Sequence, residues 1–363
     1  MDLDKIYQNA RTLVARLRYR GIAVTAVTKA ILGAPEIAEI WQQAGVSGLG
    51  DSRIENVRAM RAAGIPTLMT LVRSPMLSQA EQVVCLADVS LNTELEVIRE
   101  LSSVAKRLGR THAVVLMVEL GDLREGIMPA LLEQTVREVL QFPNITFKGI
   151  GANLACRSGV SPDIVNMTAL SSFADDIDSA FGPVVEVVSG GNSASLSWAL
   201  SGVDTGRIND LRLGESLLLG VDPLQREPIP GLHTDAIRLV TEVIESKRKP
   251  SQPWGKIAQA AFGEVPSVSD RGDIVQSILA VGRQDIDPEG LIPPPGIEIL
   301  GASSDHLVVE STGSGELLTV GGEISFQINY SALLRAMTSP FITKVMSPLK
   351  AVLREEIGEN FRA

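Results

Sequence analysis

Lys29 is the one lysine between Lys5 and Lys106, and it follows closely on the apolar run 22–27, Ile-Ala-Val-Thr-Ala-Val. A parallel barrel gathers its reactive groups at such strand ends. Partial desolvation there lowers an amine's pKa and favours the neutral form that condenses with a carbonyl to a Schiff base. A lysine that merely snorkels from a strand end fits the spacing equally well. The Gly-rich turn Ser189-Gly190-Gly191-Asn192-Ser193 follows the run 184–188, and Gly214-Glu215-Ser216 follows 210–213. Small residues let backbone N–H groups and hydroxyls close on a phosphate, with a plain strand–helix turn as the competing reading. Arg124, between the acids Asp122 and Glu125, suits bidentate pairing with a carboxylate, whether a substrate's or a neighbour's. Asp51, Arg53, Glu55 and Asn56 either line a cavity or form a polar network that supports Lys29.

The elements that would hold these residues alternate along the first two thirds of the chain. Short apolar, β-branched runs fall at 22–27, 46–48, 67–72, 84–89, 113–118, 146–152, 184–188 and 210–213, separated by helical patterns such as 93–108. Eight strand–helix repeats suit a parallel TIM-like (β/α)8 barrel, and no GxGxxG turn after the first strand favours a dinucleotide fold. After the prolines at 223, 228 and 230 the pattern changes to short runs at 274–281, 297–300, 306–309 and 323–328, with turn signals at 293–296 and 313–315. These predict an α/β barrel over 1–225 and a smaller, mostly β domain over 226–363. The segment 331–351 has helix-compatible patches, and Lys247-Arg248-Lys249 reads as a solvated loop.

Composition narrows the partners. The chain has 363 residues, 45% hydrophobic and 21% charged, with a formal net charge of -10. No basic block invites nucleic acid. Asp2, Asp4 and Lys5 stand where a signal peptide would be apolar, and no run is long enough to span a bilayer, so a cytoplasmic protein is expected. Cys85 and Cys156 are the two cysteines, without metal-ligand spacing, and neither a disulfide framework nor a metal is expected.

AVTKA at 26–30, GDSRIENV at 50–57, ELGDLREG at 119–126, GIGANLAC at 149–156, SGGNSASL at 189–196 and INDLRLGESLLLG at 208–220 together resemble the alanine-racemase-type, fold-type III pyridoxal 5′-phosphate (PLP) proteins. The set is most similar to their ornithine-racemase-like branch. The likeness extends to PWGKIAQAAFGE at 253–264 and VGRQDI at 281–286. It implies a PLP-dependent amino-acid racemase in which Lys29 carries the cofactor and moves the Cα proton. It also implies that Arg212 faces the ring nitrogen, and that Asn153, Ser189, Gly191, Asn192, Ser193, Gly214 and Glu215 surround the cofactor. Arg124 would meet the substrate, a small or cationic amino acid such as ornithine, and the protein would act as a homodimer.

The chain departs from the family at one point. Alanine racemases take a second acid/base tyrosine from the partner subunit, and the corresponding segment here reads Gly282-Arg283-Gln284-Asp285-Ile286. Asp285, His306, Cys156 and Tyr330 are the replacements to weigh, with a buried structural role as the competing reading for Cys156 and a surface role for His306. The chain also begins at Met1 where the family has a preceding strand. A PLP-binding cofactor-homeostasis protein without turnover is the alternative function, and the β domain argues against it. A decarboxylase or a metal-dependent aldolase on the same scaffold is a third, and the C-terminal region lacks the His-x-Cys pair an aldolase metal needs.

Overall fold

The computed structural model describes residues 1–263, 269–312 and 317–347. The turn expected at 313–315, the last residue of the 253–264 motif and residues 348–351 of the helix-compatible segment lie outside them. Two compact units divide the chain, one over Asp2–Ala236 and one over Ile237–Met346.

The first unit is a closed barrel of parallel strands in chain order: β1 (Ala23–Val27), β2 (Gly48–Asp51), β3 (Met69–Leu71), β4 (Val89–Asn92), β5 (His112–Val118), β6 (Ile145–Ala152), β7 (Val187–Ser189) and β8 (Asp210–Leu213). β8 pairs back onto β1, Thr25 opposite Arg212, which closes the ring and removes every sheet edge. Helices α1 (Leu3–Tyr19), α2 (Pro35–Gln43), α3 (Ile54–Ala62), α4 (Ala80–Leu86), α5 (Leu95–Arg107), α6 (Pro129–Val139), α7 (Ile164–Phe181), α8 (Leu196–Leu200) and α9 (Glu215–Leu219) alternate with the strands. α5 buries Ile98, Leu101, Val104 and Ala105 at three- and four-residue spacing, each large side chain contributing about 1.5–3 kcal/mol. Asp163 starts α7 by accepting the N–H groups of Val165 and Asn166, while Asn166 returns a bond to the Asp163 N–H.

Three expectations change. The fourth strand is Val89–Asn92, not 84–89, because Val83 and Val84 belong to the inward face of α4. Residues 226–236 stay with the barrel. Asn9 of α1 bonds both the N–H and the carbonyl of His233, Arg16 reaches the Pro230 carbonyl and Lys5 pairs with Asp235 at 2.6 Å. Lys247, Arg248 and Lys249 lie in a strand rather than a loop. Strand alternation puts Glu245, Lys247 and Lys249 on one face, where Glu245 pairs with both lysines and makes the charged run compatible with a ladder.

The second unit is a six-stranded antiparallel sheet in the order β11-β14-β9-β10-β13-β12. Its strands are β9 (Arg238–Pro250), β10 (Asp273–Leu279), β11 (Leu291–Ile292), β12 (Ile297–Ala302), β13 (Leu307–Ser311) and β14 (Glu323–Ile328), followed by α10 (Tyr330–Thr338). Buried Leu239, Thr241 and Val243 alternate with exposed neighbours along β9, as expected of a sheet with one covered face.

One buried histidine sets an acid limit on the barrel. Val89 and Leu91 pack with Val115 and Met117, so strand alternation turns Ser90 and Asn92 to the other face, where Ser90 Oγ lies 2.8 Å from His112 Nε2. Burial lowers the His112 pKa from 6.5 to about 4, so the unfolded chain takes up this proton first. The His112 contribution to stability is therefore complete above pH 6.5 and is lost as pH falls toward 4, about 3 kcal/mol in all. Urea midpoints measured from pH 7.5 to 4.5 are expected to fall less steeply for His112→Asn than for the parent chain. Equal slopes would remove this histidine as the cause.

Candidate active site at the carboxyl end of the barrel

Lys29 opens the turn directly after β1 and is half-buried. Its backbone is anchored from beneath: the Thr28 hydroxyl donates to the Asp51 carboxylate at 2.6 Å and the Thr28 N–H donates to the Gly50 carbonyl. Asp51 is fully buried and also accepts the Arg53 N–H at 2.8 Å and the Asn56 amide at 3.0 Å. Burial pushes its carboxyl pKa up while these donors resist. Of the two readings of 51–56, the network under Lys29 is the one observed. Glu55 is exposed and meets Gln79 instead.

Two turns converge beside this lysine. Ser193 Oγ, almost fully buried, accepts the N–H groups of Gly214 and Ser216 at 3.3 Å each and the Ser216 hydroxyl at 3.0 Å. Asn192 caps its own turn through the Ala194 N–H and donates its amide to Asn153 Oδ1 at 3.1 Å, the Leu154 carbonyl at 2.9 Å and Cys156 Sγ at 3.4 Å. Glu215 pairs with Arg226; burial raises its carboxyl pKa, and the charges of Arg226 and Lys29 oppose the rise.

Arg212 is 5% exposed and donates to the Ala152 carbonyl at 2.7 Å and to Ser189 Oγ. Ser189 in turn donates to Asp210, so its hydroxyl is committed to this arginine rather than to the Ser193 turn.

The loops after β5 and β6 are clipped together. Asp122, which the sequence offered as a partner for Arg124, instead accepts the N–H groups of Cys156, Arg157 and Ser158 at 3.3, 3.0 and 3.0 Å. Against a burial cost, these donors hold its carboxyl below the usual range. Arg124 is exposed and forks onto Glu125. Cys156 is exposed, not the buried structural cysteine that was the competing reading.

The remaining acid/base candidates belong to the other unit. Asp285 is 8% exposed and accepts the Ser339 hydroxyl at 2.6 Å, which leaves it a structural carboxylate. His306 is exposed in the β12–β13 turn, its N–H on Ser303 Oγ, and Tyr330 is half-buried at the first position of α10. Sequence reasoning missed Asp122 and Asp210. Asp210 and Arg212 occupy alternate positions on β8 and so share a face, but that spacing does not reveal the serine that links them.

The site suits a phosphorylated, flat ring. A Cβ at Gly191 would stand 2.6 Å from Ser195 Oγ, and one at Gly214 would stand 3.1 Å from the Val27 carbonyl, so side chains are kept out of the two turns. Asn153 Nδ2 is a buried donor with no partner among the described residues, an arrangement that calls for a ligand acceptor.

The alanine racemase N-terminal domain family matches residues 1–222. An ornithine racemase of Acetoanaerobium sticklandii is 39% identical over 347 residues, which cover 95% of this chain and 98% of that protein. A lysine racemase of Thermotoga maritima is 38% identical over 349 residues, 96% of this chain and 98% of that protein. The crystal structure of alanine racemase from Bartonella henselae, with covalently bound pyridoxal phosphate, superposes with a TM-score of 0.72 at 18% identity, covering 96% of this chain and 98% of that one.

Proposed function

The chain belongs to the alanine racemase family, and from that premise we propose that it racemises ornithine or lysine with PLP held on Lys29. It is a PLP-dependent amino-acid racemase. The observation that carries the residue assignment is the convergence of Lys29, the Ser193–Ser216 turns and the buried Arg212 at one end of the barrel.

When bound, PLP supplies an electron sink that acidifies the substrate Cα–H. Lys29 Nζ would hold the cofactor, and the same amine would take or return the Cα proton of the substrate. The hydroxyls of Ser193 and Ser216 and the Gly214 and Ser216 N–H groups hold the phosphate, with Gly191 and Asn192 shaping the turn. Arg212 would present its positive charge to the ring nitrogen and would so disfavour protonation there. Asn153 offers its unpartnered amide to the ring edge. Glu215 would border the phosphate turn, its carboxylate paired with Arg226. Arg124 leaves Glu125 to take the substrate carboxylate, an exchange of one bidentate pair for another. Cys156, joined to Arg124 through the Asp122 clip, is the second proton carrier.

The protein is proposed to work as a cytoplasmic homodimer, as the resemblance implies. Among the described residues no helix is long and apolar enough to cross a membrane.

Absorbance of the purified protein with PLP, followed by chiral assay of ornithine, lysine, alanine and serine, tests the reading. A visible band and turnover of ornithine or lysine at least about tenfold faster than alanine are expected. A band without turnover would mark a cofactor carrier, and alanine as the preferred substrate would overturn the basic-substrate assignment.

A further inference from the structure

We propose that Asp210 is a positioning residue that fixes the Arg212 guanidinium, and balances its charge, through the hydroxyl of Ser189. The proposal rests on the PLP reading above, which puts Arg212 against the cofactor ring.

A buried guanidinium normally has a carboxylate in contact, because an uncompensated charge in the interior is costly. Arg212 has none: among the described residues its terminal nitrogens bond the Ala152 carbonyl and Ser189 Oγ. The negative charge stands one hydroxyl away. Ser189 donates to one Asp210 oxygen, and Thr25 Oγ1 donates to the other at 2.7 Å.

Direction follows from proton count. A serine hydroxyl has a single proton, here given to Asp210, so its oxygen can only accept from Arg212. The order is therefore guanidinium to hydroxyl to carboxylate, and each bond strengthens the next. One N–H of each terminal nitrogen of Arg212 is thereby engaged, which fixes the plane of the fork and leaves its remaining donors for a ligand.

Strand register assembles this relay. Asp210 and Arg212 share a face of β8, Ser189 stands opposite Asp210 on β7, and Thr25 stands opposite Arg212 on β1, the strand that leads to Lys29. Asp210 thus ties the ring-side cation to the lysine-bearing strand. The other charged or titratable groups acting on Arg212 are Cys156, Arg124 and Glu125, and the last two pair with each other. Asp210 is left as the principal counter-charge.

The test is a pH titration of the visible band in holoenzyme carrying Asp210→Asn, Ser189→Ala or Thr25→Val, with near-ultraviolet dichroism to establish that each folds. Loss of the Asp210 charge makes the site more positive, so the cofactor linkage to Lys29 sheds its proton at lower pH. The midpoint is expected to drop by about one unit in Asp210→Asn. A smaller drop in the same direction is expected in Ser189→Ala, which removes the hydroxyl that links Arg212 to Asp210 and so weakens the compensation of the guanidinium by the carboxylate, and which still reports if Asp210→Asn does not fold. Thr25→Val, which removes one bond to Asp210 and no charge, is expected to leave the midpoint within a few tenths of a unit. Unchanged midpoints in Asp210→Asn and Ser189→Ala would overturn the relay while leaving the PLP reading intact. Absence of any Lys29-dependent band in the parent protein would overturn that reading, and the relay with it.

Discussion

Lys29→Ala is expected to lose the visible band of the PLP-loaded protein and to lower racemisation by about 10,000-fold or more. Two functions disappear together: the covalent hold on the cofactor and the group that moves the Cα proton. General acid/base groups alone are worth about 100- to 10,000-fold. The fold should tolerate the change, because Lys29 is half-buried and the turn beneath it is fixed by the Thr28 hydroxyl on Asp51 and the Thr28 N–H on Gly50. Stability should stay within about 0.5 kcal/mol of the parent. Lys29→Arg makes the same point from the other side: it keeps a cation at the turn, yet a guanidinium neither condenses with the cofactor carbonyl nor gives up its proton near neutral pH. Retention of racemisation within tenfold of the parent in either variant would remove Lys29 from the mechanism.

The position of Lys29 just past the end of the first barrel strand was legible because a local signal marks it, an isolated cation after an apolar run, while its proposed role came from the resemblance. The barrel was legible for a related reason: eight strands and their helices each carry their own periodicity, and closure follows once they alternate. The fourth strand was misplaced because the run 84–89 crosses a helix end and a strand start, and short apolar runs do not distinguish the two. The domain boundary was drawn at prolines, whereas the unit ends where tertiary bonds from Asn9 and Arg16 stop. Asp122 and Asp210 were not legible in their roles. The first acts on N–H groups more than thirty residues away, and the second through a serine on another strand. Neither pairing leaves a spacing signature, and Asp122 stands beside an arginine that it does not bond.

Cys156→Ser is expected to separate the two directions of proton transfer. Racemisation needs a proton removed from one face of the Cα and returned on the other, and Lys29 can serve one face. Cys156 lies on the loop after β6, tied by Asp122 to the loop after β5, and the proposed role gives it the face that Lys29 does not serve. Cys156 is exposed, its backbone is fixed by Asp122, and its sulfur accepts from the Asn192 amide. In the forward step the Cα–H bond breaks, the proton passes to Lys29 Nζ, the electron pair stays with the substrate carbon, and the Cys156 thiol gives its proton to the opposite face. The two groups exchange protons with water before the next turnover. Serine keeps the size and the hydrogen bond but does not ionise near neutral pH. Racemisation should therefore fall by about 100- to 1,000-fold in both directions. In deuterated water Lys29 should still exchange the Cα hydrogen of one enantiomer at a rate within about tenfold of the parent, with the other enantiomer silent. Equal exchange of both enantiomers, or racemisation within about threefold of the parent, would clear Cys156 and return the search to the β unit. Tyr330→Phe and His306→Asn would then be the next variants in the same exchange assay.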